Sequence, residues 1–154
     1  MASRLVVALG LAGALALLPG CLFGGSKQTR IDLPTEPQTY SNVGLTAEIE
    51  GELVFDEETD CVLLRTPDRT NLVVWPTGTT AYKNPFELRL PAGFVAHEGD
   101  RIEGGGGYFG RSVLEDLAEE RHSRTAIPSP ACPHQDDIAA LNANEIVGVI
   151  EHDR

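Results

Sequence analysis

Ala47-Glu48-Ile49-Glu50-Gly51-Glu52-Leu53-Val54-Phe55 alternates residue by residue: Ala47, Ile49, Gly51, Leu53 and Phe55 fall on one side of a two-residue period, and Glu48, Glu50, Glu52 and Val54 on the other. A strand with that pattern has one apolar face and one acidic, wet face. A helix would spread the glutamates around its axis and bury some of them. After the polar loop Asp56 to Asp60, Val62-Leu63-Leu64 resumes the apolar run. Thr66-Pro67-Asp68-Arg69 then places Pro and Asp where a type I turn wants them. Leu72 to Trp75 is the partner strand of the resulting hairpin, ended by Pro76, which has no backbone donor.

The same period recurs downstream. Phe86, Leu88 and Leu90 alternate with Glu87 and Arg89, and Pro91-Ala92-Gly93 turns the chain. Glu98-Gly99-Asp100 turns it again into Arg101 to Phe109. Ser112 and Glu115 have capping-box spacing, and Val113, Leu114, Leu117 and Ala118 form a narrow apolar stripe, so a short helix is expected over Val113 to His122. Ala126 to His134 holds three prolines and reads as irregular, with a brief helical turn over Asp137 to Leu141. Ile146 to Glu151 reads as a final strand, apolar enough to be central.

Five or six short strands with one late helix predict a mostly β domain, a small, mostly antiparallel barrel or sandwich. The long first strand, the hairpin after it, the Gly-Asp lead into a glycine-bearing strand and the closing strand resemble an OB-type barrel. In that family the helix lies between the third and fourth strands, whereas here at least four strands precede it. The resemblance carries no site residues across.

The N-terminus has a different character. Arg4 is followed by fourteen uncharged apolar and small residues, Leu5 to Leu18. That is the core of a signal peptide, shorter than the roughly 20 residues a spanning helix needs. Leu18-Pro19-Gly20-Cys21 follows, and Leu, Gly and Cys at these spacings resemble the lipobox of bacterial lipoproteins. The resemblance covers residues 1–21. It implies that residues 1–20 are cleaved, that the Cys21 thiol carries a diacylglyceryl group, with acyl chains of the palmitate kind, and that the protein is lipid-anchored on the extracytoplasmic face of a cell membrane. Stable anchoring takes about two chains, and a diacylglyceryl group supplies both. Leu22 to Asn42, with Gly24-Gly25-Ser26, Pro34 and Pro37, reads as a flexible tether, so residues 21–44 are expected to link the lipid to a domain over 45–154. As a coil the tether would span roughly 25 Å on average.

Without residues 1–20 the chain keeps 11 basic and 23 acidic residues, a balance of −12. Such a chain repels phosphate backbones and anionic lipid headgroups, which argues against a nucleic-acid partner. Cys61 and Cys132 are the two cysteines left after Cys21, and two thiols in an exported protein suggest a disulfide. Free thiols and metal ligation are the alternatives. Zinc would need further ligands, and only His134 is near either Cys in sequence.

Several patterns resemble chemistry without completing it. Gly105, Gly107 and Gly110 fit G-x-G-x-x-G, but no βαβ unit surrounds them. The run Gly104 to Gly107 reads instead as a bulge or a bend where barrel strands approach closely. Asp56-Glu57-Glu58-Thr59-Asp60 is rich in oxygen but lacks the glycine and distal Glu of a calcium loop, so it reads as a solvated hairpin tip. Ser112 and Ser129 lack a nucleophile elbow, and His97, His122, His134 and His152 show no spacing to a nucleophile. No catalytic residue, metal or cofactor is assigned. The expectation is a non-enzymatic module of the cell envelope that binds a protein or glycan partner through Trp75, Tyr82 and Tyr108. The alternative is a small extracytoplasmic hydrolase using carboxylates or a histidine.

Overall fold

The computed structural model describes residues 28–35, 46–120, 129–132, 137–142 and 148–150. The expected signal segment, residues 1–20, and Cys21 lie outside the described residues. The alternating stretch is the strand β2 (Ala47–Asp56), following a short β1 (Thr29–Ile31). The hairpin is β3 (Cys61–Arg65) and β4 (Thr70–Val74). Next come β5 (Thr80–Lys83), β6 (Glu87–Arg89), β7 (Val95–Ala96) and the long β8 (Arg101–Gly110). The helix α1 (Arg111–Glu120), β9 (Asp137–Leu141) and β10 (Gly148–Ile150) complete the order.

Five strands close on themselves in the order β8-β2-β3-β4-β9, with β9 returning to β8. Neighbours run antiparallel except β4 and β9, which are parallel. The protein is therefore mostly β, a small closed barrel of the OB-like kind with one short helix. β8 serves three partners: β2 along 101–106 on one edge, and β10 along 101–103 and β9 along 106–110 on the other. A separate small sheet, β1-β5-β6-β7, covers one end of the barrel.

The burial pattern follows from the side chains. β2 has one wet face, and its Ile49, Leu53 and Phe55 point into the core. β3, β4 and β9 are apolar on both faces and need cover on both. Their Val62, Leu64, Val73 and Leu141 fill the barrel together with Ile102 and the small sheet's Ala81, Leu88 and Ala96. Their Leu63, Leu72, Val74 and Ile138 form a second cluster outside the wall, beneath Leu114 of α1 and the Cys61–Cys132 pair. Phe55 and Phe86 stack at 4.6 Å between ring centroids, joining the first barrel strand to the small sheet.

Four expectations are corrected. Thr29–Ile31 is not tether but an antiparallel partner of β5, and Thr35 forms a parallel bridge with Trp75. Asp137–Leu141 is a barrel strand, not a helical turn, because Ile138 and Leu141 each find a buried cluster on opposite faces. β10 lies at a sheet edge, since it pairs only with β8 among the described residues. α1 begins at Arg111, which puts Ser112 inside its first turn rather than at its cap.

Candidate functional site

The β2–β3 hairpin tip is built by its own side chains. The Asp56 carboxylate accepts the Glu58 backbone N–H at 3.0 Å, and Asp60 takes the left-handed conformation at φ 56° that lets β3 begin. The hydroxyl of Thr59, and then the Glu58 N–H, hold the Asp56 carboxyl below its ordinary value. Asp60 accepts two bonds from Lys83 Nζ, at 2.8 and 2.7 Å, which ties the tip to β5. Two of the loop's acids are thus engaged by the protein itself. Among the described residues no three His, Cys, Asp or Glu come together as a metal site.

Beside this tip, Cys61 is joined to Cys132, with Cα atoms 5.7 Å apart. Cys132 is placed by a compact turn: its N–H donates to the Ser129 carbonyl at 3.0 Å, and Ala131 N–H donates to Ser129 Oγ at 3.2 Å. The disulfide therefore fastens the connection between α1 and β9 to the start of β3. Register pairing of β3 with β4 covers only Leu63 to Arg65, so Cys61 and Val62 are free of that ladder.

A cleft of about 710 Å³ lies against this stretch of wall. Its sides are the segment 30–34, the tip residues Thr59 and Asp60, and the Ser129–Pro130 turn, while Val62, Val73 and the disulfide border it from the barrel. Arg30, Asp32 and Ser129 supply polar groups, and Leu33, Pro34 and Pro130 supply apolar ones. In chain order the barrel strands are β2, β3, β4, β8 and β9. The cleft thus lies on the second and third, between the loop joining first to second and the connection joining fourth to fifth.

The aromatic residues expected to bind do not meet there. Trp75 is wholly buried, and this corrects its assignment to a binding surface: it follows β4 into the barrel and packs in the core. Tyr82 is half-buried on the outer face of the small sheet, under the Arg89 guanidinium at 4.6 Å. Tyr108 is exposed at the far end of the barrel, beneath Arg69 at 5.2 Å, where Arg69 also pairs with Asp137 at 2.8 Å. His97 and Asp100 are neighbours as well, but the buried Asp100 carboxylate accepts the His97 backbone N–H at 2.7 Å and closes the turn into β8.

Arg30, Asp32 and Ser129 were missed in the sequence. For the first two a signal exists: Arg30 and Asp32 alternate with Ile31 and Leu33, a strand period hidden inside a proline-bearing stretch. Ser129 carries no such mark, because the disulfide and not the local pattern brings it to the wall. No family model, curated protein or solved structure matches this chain.

Proposed function

We propose that this chain is an extracytoplasmic lipoprotein, held to a cell membrane by a lipid on Cys21, and that its barrel is a non-enzymatic binding module for a protein or glycan of the envelope. The observation that supports the binding role is the position of the cleft. Barrels of the OB kind receive oligonucleotides and oligosaccharides on the face of their second and third strands, flanked by these same two connections. The argument is one of fold, and fold alone does not choose the ligand. The chain's own composition narrows it: a balance of −11 over the full chain disfavours nucleic acid, and a rim holding Arg30, Asp32 and Ser129 offers both donors and acceptors. The lipid anchor is supported by the order of charge, apolar core and Leu18-Pro19-Gly20-Cys21.

Two experiments test the two parts. Cys21→Ser should abolish acyl labelling and partition into a detergent phase; intact protein that is neither cut nor labelled would refute the anchor. For the module, envelope peptides and glycan fragments are screened by thermal shift, since a ligand at a hundred times its Kd adds about 2.7 kcal/mol. Ser129→Trp, which fills the cleft from an exposed position, should remove the shift of any hit, each shift being measured from the variant's own unliganded melting point. Ligands that bind equally well to the filled variant would refute the cleft. Turnover in a hydrolase screen, lost on changing one acid or histidine, would favour an enzyme.

A further inference from the structure

The hairpin joining β6 to β7 carries an exposed, uncharged tip. Pro91, Ala92, Gly93, Phe94 and Val95 are all exposed, and no charge occurs between Leu90 and Ala96, in a chain of balance −11. Phe94 and Val95 are each 41% exposed. The tip is a formed structure: Leu90 N–H donates to the Phe94 carbonyl at 2.9 Å, and Gly93 N–H to the Leu90 carbonyl at 3.0 Å. Gly93 sits at φ 88°, with open space where a side chain would be. The fold thus sets an aromatic ring and a valine side by side at the surface on a hydrogen-bonded turn.

The surroundings indicate which partner. Arg89 stands directly opposite Val95 across the β6–β7 pair, and Arg30 opposite Tyr82 across β1–β5. The outer face behind the tip carries Arg89, held between the Glu87 carboxylate at 2.7 Å and the Tyr82 ring, and Arg30, with the exposed Asp32 two residues on. Tyrosine and arginine above an apolar tip are the sequence of groups found at a membrane interface. Arg89 Nη2 also donates to Gln28 Oε1 at 3.1 Å, so the chain leading back to Cys21 departs from beside this face. Gln28 is seven residue steps from Cys21, and such a stretch reaches at most about 25 Å. A lipid on Cys21 and the tip can lie in one membrane plane. A stable protein interface needs about 800 Å² from each partner, more than two protruding side chains supply.

We propose that Pro91–Val95 is a membrane-insertion element that enters the interface of the bilayer holding the Cys21 lipid, with Tyr82 and Arg89 behind it at the depth of the headgroups. The proposal rests on the lipid-anchor reading for its geometry, and the test separates the two. The full, natively acylated protein with Phe94→Cys, labelled with an environment-sensitive fluorophore, is reconstituted into phosphatidylcholine–phosphatidylglycerol vesicles. Val113→Cys, exposed on α1, is the control. Brominated acyl chains should quench the label at position 94 at least twofold and leave the label at 113 unaffected. In parallel, unacylated Cys21→Ser protein is mixed with the same vesicles, where a further Phe94→Asp change should lower partition about tenfold with unchanged circular dichroism. Acylated protein whose label at 94 stays open to aqueous iodide overturns the insertion and leaves the anchor standing, and would return the tip to a protein partner. Loss of binding on Phe94→Asp in a protein whose Cys21 proves never to be acylated sustains the insertion and removes the anchor. Equal partition of the Phe94→Asp protein and its parent overturns the insertion in either case.

Discussion

Gly106 is the point where the barrel closes, and replacing it by alanine is the most direct test of that closure. It pairs with Ala47 of β2 and with Leu141 of β9, so it stands between the first and last strands of the ring. A Cβ there would lie 2.1 Å from the Ala140 carbonyl oxygen and 2.5 Å from Ile49 Cδ1. Ordinary carbon–oxygen contacts are about 3.3 Å or more, so β9 must retreat by about an ångström. A retreat of that size stretches the β8–β9 ladder, which costs about 1 kcal/mol for each bond lost, and overpacking adds about 1–3 kcal/mol. The expected loss is about 3–4 kcal/mol. Gly51→Ala is the matched control, because its Cβ meets Arg65 O and Leu64 Cβ at 3.1 Å and needs only a few tenths of an ångström. Its expected cost is below about 1 kcal/mol, partly offset by the stiffer unfolded chain. Urea unfolding followed by fluorescence suits both variants, since Trp75 is the sole tryptophan and is wholly buried. Equal costs for the two variants, or a Gly106→Ala protein as stable as its parent, would falsify the account of closure.

The Cys61–Cys132 bond closes a loop of 71 residues, for which the chain-entropy estimate is about 4 kcal/mol. Replacing both cysteines by alanine should therefore lower the unfolding free energy by roughly that amount, and two alkylatable thiols in the native protein would contradict the pairing. The Asp56 carboxyl is held low in the folded protein, so its contribution is present above the unfolded value near 3.8 and is lost as pH falls through the folded one. Stability measured between about pH 5 and pH 2 should accordingly fall less steeply in Asp56→Asn than in the parent, and identical slopes would refute the sign.

Strand periods made much of the barrel readable in advance. β2 announces itself by its glutamates, and the hairpin of β3 and β4 by Pro67-Asp68 between two apolar runs. The unbroken runs Val62-Leu63-Leu64 and Leu72 to Trp75 prove to be buried on both faces, which no two-residue period marks. β9 was misread because Asp137–Leu141 is short and rich in alanine, and only its two neighbours in space make it a strand. β5 and β7 carry too few residues for any period to show. The cleft was the least legible feature, since it gathers residues 30–34, 59–62 and 129–132, none of which points to the others in sequence. Aromatic content pointed to Trp75, whose large surface was claimed by the core instead.

The late position of β9 in the chain has a consequence for how the protein reaches its working state. β4 ends at Val74, yet its parallel neighbour begins at Asp137. No ring can form until residue 141 is available, however early β2 to β4 have paired. Folding is therefore governed by contacts distant in sequence, which makes it slow relative to a helical protein of the same size. For a chain threaded through a membrane from its N-terminus, slowness is an advantage. On the lipoprotein reading proposed above, a barrel that cannot close before residue 141 is available would stay open until nearly all of the chain had crossed.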